Sequence, residues 1–277
     1  MKICAVQLNP KSCRTYIDFY SYLEQIFIQT KDSDLLVFPE NINFCLLFYK
    51  PEQKSLSIKL FLENLFDKVI SNTNISFILK KQNLDEQKNL ILDCFSSLAK
   101  KYNTNVITGS FYEKKDDGIY NSIYAINRNG NIVNNTSKKD LVGLEKAFRI
   151  KSNNIPKVAD FDFGRVGLCI CFDLNDPDYC SKFDCDILVA PSNGYRPFPG
   201  YPFDYKKETP QIQRVEENKY AVIRPYFAGW MFPLYFQGRT MIVDKNGTIY
   251  SSKTRDKTEL LVVTIIVWQT ILPFRIL

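Results

Sequence analysis

The sequence predicts an α/β fold: mixed β-sheets covered by helices, in one domain of 277 residues. Three observations predict it. Apolar strand-like runs alternate with segments of helical periodicity. Hairpin signals such as Asn129-Gly130 and Lys245-Asn246-Gly247 lie among them, so the sheets are mixed rather than all parallel. No linker-like stretch divides the chain, whose length suits one large domain. A composition of 45% hydrophobic and 24% charged residues is enough to bury a sizeable core.

In chain order, Lys2–Leu8 alternates like a buried first strand, and Tyr16–Gln29 has helical periodicity. Ser33–Pro39 reads as a buried strand ended by proline, with Glu40 directly after it. Helices are expected over Ser55–Ile70 and Asp85–Tyr102, with an Asn-rich surface insertion between them. Asn105–Phe111 is a strand punctuated by Gly109-Ser110, and Tyr120–Asn127 pairs with Ile132–Ser137 around the Asn-Gly turn. Arg165–Phe172 and Cys185–Ala190 are near-continuous apolar runs, the pattern of strands buried on both faces. Tyr195–Tyr205 is an aromatic, proline-rich loop, and Thr209–Lys219 is a helix with Pro210 in its first turn. Tyr220–Pro225, Arg239–Val243 and Ile249–Ser251 are strands, and Leu260–Val267 is a last core strand.

Several function classes are disfavoured. The net charge of +6 comes from scattered pairs such as Lys80-Lys81 and Lys100-Lys101, not from a basic stripe with interleaved aromatics, so no nucleic-acid partner is expected. The N-terminus lacks a signal-peptide pattern. Thr264, Gln269, Thr270 and Pro273 interrupt the most apolar segment, so no membrane partner and a cytoplasmic location are expected. Eight cysteines in such a chain are reduced by default, with Cys4, Cys13, Cys45 and Cys94 as core fillers. Cys169, Cys171, Cys180 and Cys185 lack the paired CxxC spacing of a zinc ribbon, so no metal is expected.

The chain contains no histidine. That rules out a Ser-His-Asp triad, a papain-like Cys-His pair and His-ligated zinc hydrolase sites. A hydrolytic or acyl-transfer enzyme with this composition must move its proton with a carboxylate or a lysine. Three residues at strand ends fit that need: Glu40, Lys138 and Cys171. A carboxylate can take the thiol proton, and an ammonium can stabilise an oxyanion together with the backbone N–H after the nucleophile. Taken singly, each is ordinarily a surface charge or a core thiol. Cys169, two residues away, shares one strand face with Cys171 and is a competing thiol; Phe172-Asp173 favours Cys171 because the strand ends there.

Together these residues resemble the nitrilase, or carbon–nitrogen hydrolase, superfamily. Phe38-Pro39-Glu40 is similar to its Glu motif, Lys138 to Leu141 to its Lys-x-x-Leu motif, and Leu168 to Asp173 to its Cys motif. Further similarity covers Gln7, Tyr120-Asn121-Ser122, Arg214 to Asn218 and Gln237 to Thr240, nearly the whole chain. The resemblance implies a four-layer α-β-β-α sandwich. It implies a Glu40-Lys138-Cys171 triad and a thioester intermediate with no cofactor. It also implies a homodimer or larger homo-oligomer, with Glu145 and Phe172 positioning a small-molecule amide or carbamoyl substrate. Asp176-Pro177-Asp178 and Asn153-Asn154 depart from the family pattern, which bears on the pocket more than on the triad.

Two alternatives stay open. Lys138 to Glu145 and Trp268 to Leu272 are also similar to apolipoprotein N-acyltransferase, an acyl-transfer enzyme whose membrane helices this chain lacks before its first strand. The other is a degenerate scaffold protein. The aromatic stretches Tyr195–Tyr205 and Tyr226–Tyr235 fit a pocket lining or a subunit interface equally, and Arg196 and Arg224 are candidates for a substrate carboxylate.

Overall fold

Period-2 alternation in the strands decides the layering. The computed structural model describes residues 1–10, 13, 15–47, 79, 83–196, 209–231 and 234–265. In β1 (Lys2–Gln7), Ile3 and Ala5 face one core, while Cys4 and Val6 face another. In β2 (Leu35–Val37), Leu35 and Val37 face the first of these and Leu36 the second. The same alternation recurs in β8 (Ile187–Val189) and β10 (Ala221–Arg224). There Ile187, Val189, Ala221 and Ile223 point inward, and Leu188 and Val222 point to a third core. Because side chains on a strand alternate between faces, each sheet is buried on both sides.

Two six-stranded sheets result. The first contains β1, β2, β3 (Asn105–Lys115), β4 (Gly118–Ile126), β5 (Ile132–Ser137) and β15 (Glu259–Thr264), in the order β15-β1-β2-β3-β4-β5. The second adds β6 (Lys157–Phe161), β7 (Gly164–Leu168), β13 (Met241–Val243) and β14 (Ile249–Ser251) to β8 and β10, in the order β14-β13-β10-β8-β7-β6. In both, a parallel centre (β1-β2-β3 and β7-β8-β10) is flanked by antiparallel strands.

Helices cover the outer faces. α1 (Tyr16–Gln29) starts at Thr15 with a capping box closed by Asp18. Its buried Phe19, Leu23, Ile26 and Phe27 pack on the first sheet. After α2 (Phe44–Leu47), α3 (Leu84–Tyr102) buries Ile91, Phe95 and Leu98 against the same core and stops at Asn103, which is left-handed. On the second sheet, Val215 of the helix Pro210–Asn218 and Tyr179 of the short helix Pro177–Cys180 close the outer core. The three cores make an α-β-β-α sandwich, the four-layer α/β architecture the resemblance implied.

The differences from expectation have local causes. β3 does not end at Phe111 but continues to Lys115, with a register shift between Ile107 and Ser110. Gly109 takes φ +72° there, and a Cβ would lie 2.0 Å from the Pro39 carbonyl oxygen, so the close approach of β3 to the Glu40 turn requires glycine. β7 stops at Leu168, earlier than expected, and a 3-10 turn begins at Cys171. Cys169 and Cys171 therefore do not share a strand face: Cys169 lies in the outer core, and Cys171 packs against the inter-sheet core. Tyr195-Arg196 is a short strand, β9, rather than loop. It joins β11 (Ala228–Met231) and β12 (Leu234–Gln237) in a three-stranded sheet that the chain pattern did not reveal. The expected helix Ser55–Ile70, the insertion after it and Trp268 to Leu272 lie outside the described residues. No helix among the described residues is long and apolar enough to cross a membrane.

Candidate active site

The ends of β2, β5, β7 and β8 bring Glu40, Lys138, Cys171 and Asn193 together. Each sits just past a strand, where the chain leaves the ladder and its side chains are free to converge. Glu40 follows the Phe38-Pro39 pair, and Asn41 after it is left-handed at φ 60°, a conformation Asn tolerates. Lys138 is fixed by its N–H donating to the Asn121 carbonyl at 2.8 Å. Cys171 is itself left-handed, at φ 50°, with its N–H on the Pro191 carbonyl at 2.9 Å. For a non-glycine residue this conformation costs about 1–2 kcal/mol, and it turns the thiol out of the strand direction.

Glu40, Lys138 and Glu145 are all buried and form a closed polar ring with Asn121. The Lys138 ammonium contacts Glu40 Oε1 at 2.7 Å and Glu145 Oε2 at 2.8 Å. Asn121 Nδ2 donates to the remaining sides of the ring, at 3.1 Å to Glu40 Oε1 and 2.8 Å to Glu145 Oε1. Two further backbone donors complete the carboxylates: Asn193 N–H to Glu40 Oε2 at 3.1 Å and Val142 N–H to Glu145 Oε2 at 3.0 Å. Burial pushes the Lys138 ammonium down, but the Glu145 and Glu40 carboxylates, with Cys171 nearby, outweigh it and hold the lysine well above its ordinary range. Lys138 is thus a fixed, charged, nearly water-free cation.

Cys171 is half-buried as a residue, with protein packed densely around its sulfur. Burial and then Glu40 push its thiol up to about 12, against the pull of Lys138, Arg224 and a hydrogen bond with Ser192. The resting sulfur is therefore protonated at neutral pH and needs a base. The N–H of Phe172 lies in the first turn of the 3-10 segment Cys171–Asn175, where the turn itself offers no carbonyl partner. Phe172 is 49% exposed.

Among the sequence candidates, the structure brings Glu40, Lys138 and Glu145 into direct contact and sets Cys171 beside them. Arg224 is also near: buried, it donates to Ser192 Oγ at 2.9 Å, and its charge reaches Cys171. Arg196 donates to Gln237 Oε1 at 3.1 Å on the edge of the small sheet. Sequence reasoning missed Asn121 as a site residue, although an amide inside the apolar run Tyr120–Asn127 is a signal, since Asn is depleted in strands. It also missed Tyr112, a buried phenol raised well above its ordinary range by burial and by Glu145 and Glu40; nothing in its pattern marks it.

Comparison with known proteins agrees with this architecture. The family model for carbon-nitrogen hydrolase matches residues 2–269. The NitN amidase of Nesterenkonia sp. AN1 superposes with a TM-score of 0.71, covering 95% of this chain and 92% of that one at 16% identity. That likeness shows the fold; another structure of that amidase is a complex with butyramide. In sequence, the chain is 26% identical over 180 residues to the probable hydrolase YhcX of Bacillus subtilis, covering 64% of this chain and 31% of that protein. It is 29% identical over 180 residues to the deaminated glutathione amidase of Dictyostelium discoideum, covering 59% of this chain and 61% of that protein. The matched stretches thus span less than two thirds of either relative. With the family model running over nearly its whole length, the chain belongs to the carbon–nitrogen hydrolase family and is classed with hydrolases of carbon–nitrogen bonds.

Proposed function

We propose that the protein is an amidase-type hydrolase that cleaves a small carboxamide or carbamoyl compound through a thioester on Cys171. The observation that carries this reading is the ammonium of Lys138, clamped at 2.7 and 2.8 Å between Glu40 and Glu145 beside a thiol that is protonated at rest. Glu40 takes the Cys171 proton as the sulfur attacks the carbonyl carbon. The carbonyl π electrons move onto oxygen, and the oxyanion is held by Lys138 and the Phe172 N–H. Collapse of the tetrahedral intermediate breaks the carbon–nitrogen bond, and Glu40 returns its proton to the leaving nitrogen. Water, deprotonated by Glu40, then attacks the thioester carbonyl, and the sulfur leaves with the proton. Glu145 holds Lys138 and Asn121 in place, and Phe172 flanks the substrate. The butyramide complex of the Nesterenkonia amidase supports a small aliphatic amide as the first substrate class to test. On the family resemblance, residues 1–277 form one domain and assemble as a homodimer or larger homo-oligomer.

Glu40→Gln tests the reading with two outcomes of different kinds. Ammonia release from a panel of short amides is expected to fall by about 10²–10⁴-fold, the range for general acid–base catalysis. The apparent pKa of Cys171 alkylation is expected to move down, because the Glu40 charge that raises it is gone. Wild-type turnover in this variant would remove Glu40 from the mechanism.

A further inference from the structure

Asp173 lies two residues past Cys171 and is 1% exposed. Its Oδ2 accepts the N–H of Ile170 at 3.0 Å, and Ile170 immediately precedes the nucleophile. Its Oδ1 accepts the N–H groups of Lys139 at 3.0 Å and Asp140 at 2.7 Å, the two residues that follow Lys138. The Asp173 N–H donates back to the Ile170 carbonyl at 3.1 Å, closing a ring around the left-handed turn at Cys171. One carboxylate therefore spans two segments that are 33 to 34 residues apart in the chain.

We propose that Asp173 is a positioning residue that sets the separation between the Cys171 sulfur and the Lys138 ammonium by holding the backbones of both segments on one carboxylate. The proposal rests on the roles given to Cys171 and Lys138 above. All three donors are backbone N–H groups, which cannot be deleted by neighbouring side-chain changes and which are costly to leave unpaired when buried. An ionised carboxylate accepts on both oxygens at once, whereas asparagine presents its NH₂ to at least one N–H. Burial outweighs the hydrogen bonds from Asp140 and Ile170 and the charge of Lys138, and leaves the Asp173 carboxyl raised to about 7. The Lys138 segment has a second tether at its far side, where the Lys139 ammonium meets Asp176 Oδ2 at 2.7 Å. That tether is partly exposed and holds a flexible side chain, whereas Asp173 holds the backbone.

The test is Asp173→Asn, compared with the wild type for kcat, KM, Cys171 alkylation and thermal unfolding. A loosened clamp lets the sulfur and ammonium drift apart, so kcat of the folded enzyme is expected to fall about 10–100-fold. KM should stay within threefold, and Cys171 alkylation should slow in parallel. Asp140→Pro removes the shortest of the three donors from the opposite segment and should repeat the result; it serves in place of Asp173→Asn if that variant does not fold. Wild-type kcat in the folded variant overturns the proposal. So does a loss of activity that tracks only the folded fraction, with alkylation of the folded molecules unchanged. Cys171→Ala run alongside separates this from the wider reading: turnover persisting there would sink the Cys171 assignment itself, whatever Asp173 does.

Discussion

Cys171→Ala is expected to abolish amide turnover and to leave the fold intact. Without the sulfur there is no thioester, and the composition provides no histidine to recruit a water in its place. The structural cost is small because Cys171 is half-buried at the rim of the inter-sheet core, and alanine tolerates the left-handed backbone about as well as cysteine does. Circular dichroism and thermal unfolding should match the wild type, while ammonia release falls to background. The other seven cysteines provide the control. Cys4, for example, lies in the apolar core behind the first sheet and is pushed up to about 12 by burial, against the pull of Lys2. Cys4→Ala should therefore leave turnover unchanged.

Lys138→Ala is expected to reduce both activity and stability, and the two losses have separate causes. Removing one oxyanion donor costs about 10²–10³ in rate. Removing the cation also leaves Glu40 and Glu145 buried at 2% and 3% side-chain exposure, with Asn121 still between them but the positive charge they share gone. Breaking a buried ion pair from one side typically costs about 3–5 kcal/mol. Unfolding in urea should show that loss as a lower midpoint at an unchanged slope. Replacing Glu145 by Gln in the same background should recover part of the stability, since it removes one of the two unpaired charges, and none of the rate. A Lys138→Ala enzyme as stable as the wild type would mean that the ring is not the charge-balanced unit its distances describe.

Much of this site was legible in the sequence because its parts stand at strand ends, and strand ends are marked by proline, polar residues and breaks in apolar runs. Phe38-Pro39-Glu40 and Ser137-Lys138 are of that kind. The helix Tyr16–Gln29 and the strands Ile132–Ser137 and Ile249–Ser251 were likewise fixed by local periodicity and turn residues. Features made by pairing at long range were hidden. The small sheet pairs Tyr195-Arg196 with residues of β12 some forty positions later, and no local pattern announces that. Asn121 looked like strand interior until the fold placed its amide between two carboxylates from positions 40 and 145. The left-handed turn at Cys171 was hidden for a related reason: the apolar run Leu168–Phe172 has the composition of a strand, and the chain leaves the sheet where the Ile170 N–H turns to the Asp173 carboxylate and Cys171 becomes left-handed.

A thioester mechanism requires that Cys171 be acylated during turnover. Intact-mass spectrometry with peptide mapping of enzyme quenched in acid during reaction with butyramide or a related short amide tests it most directly. The predicted result is an adduct of the acyl group's mass on the peptide carrying Cys171, absent in Cys171→Ala and unlabelled at Cys169. Turnover with no adduct on Cys171 at any quench time, or an adduct that survives in the Cys171→Ala protein, would contradict it.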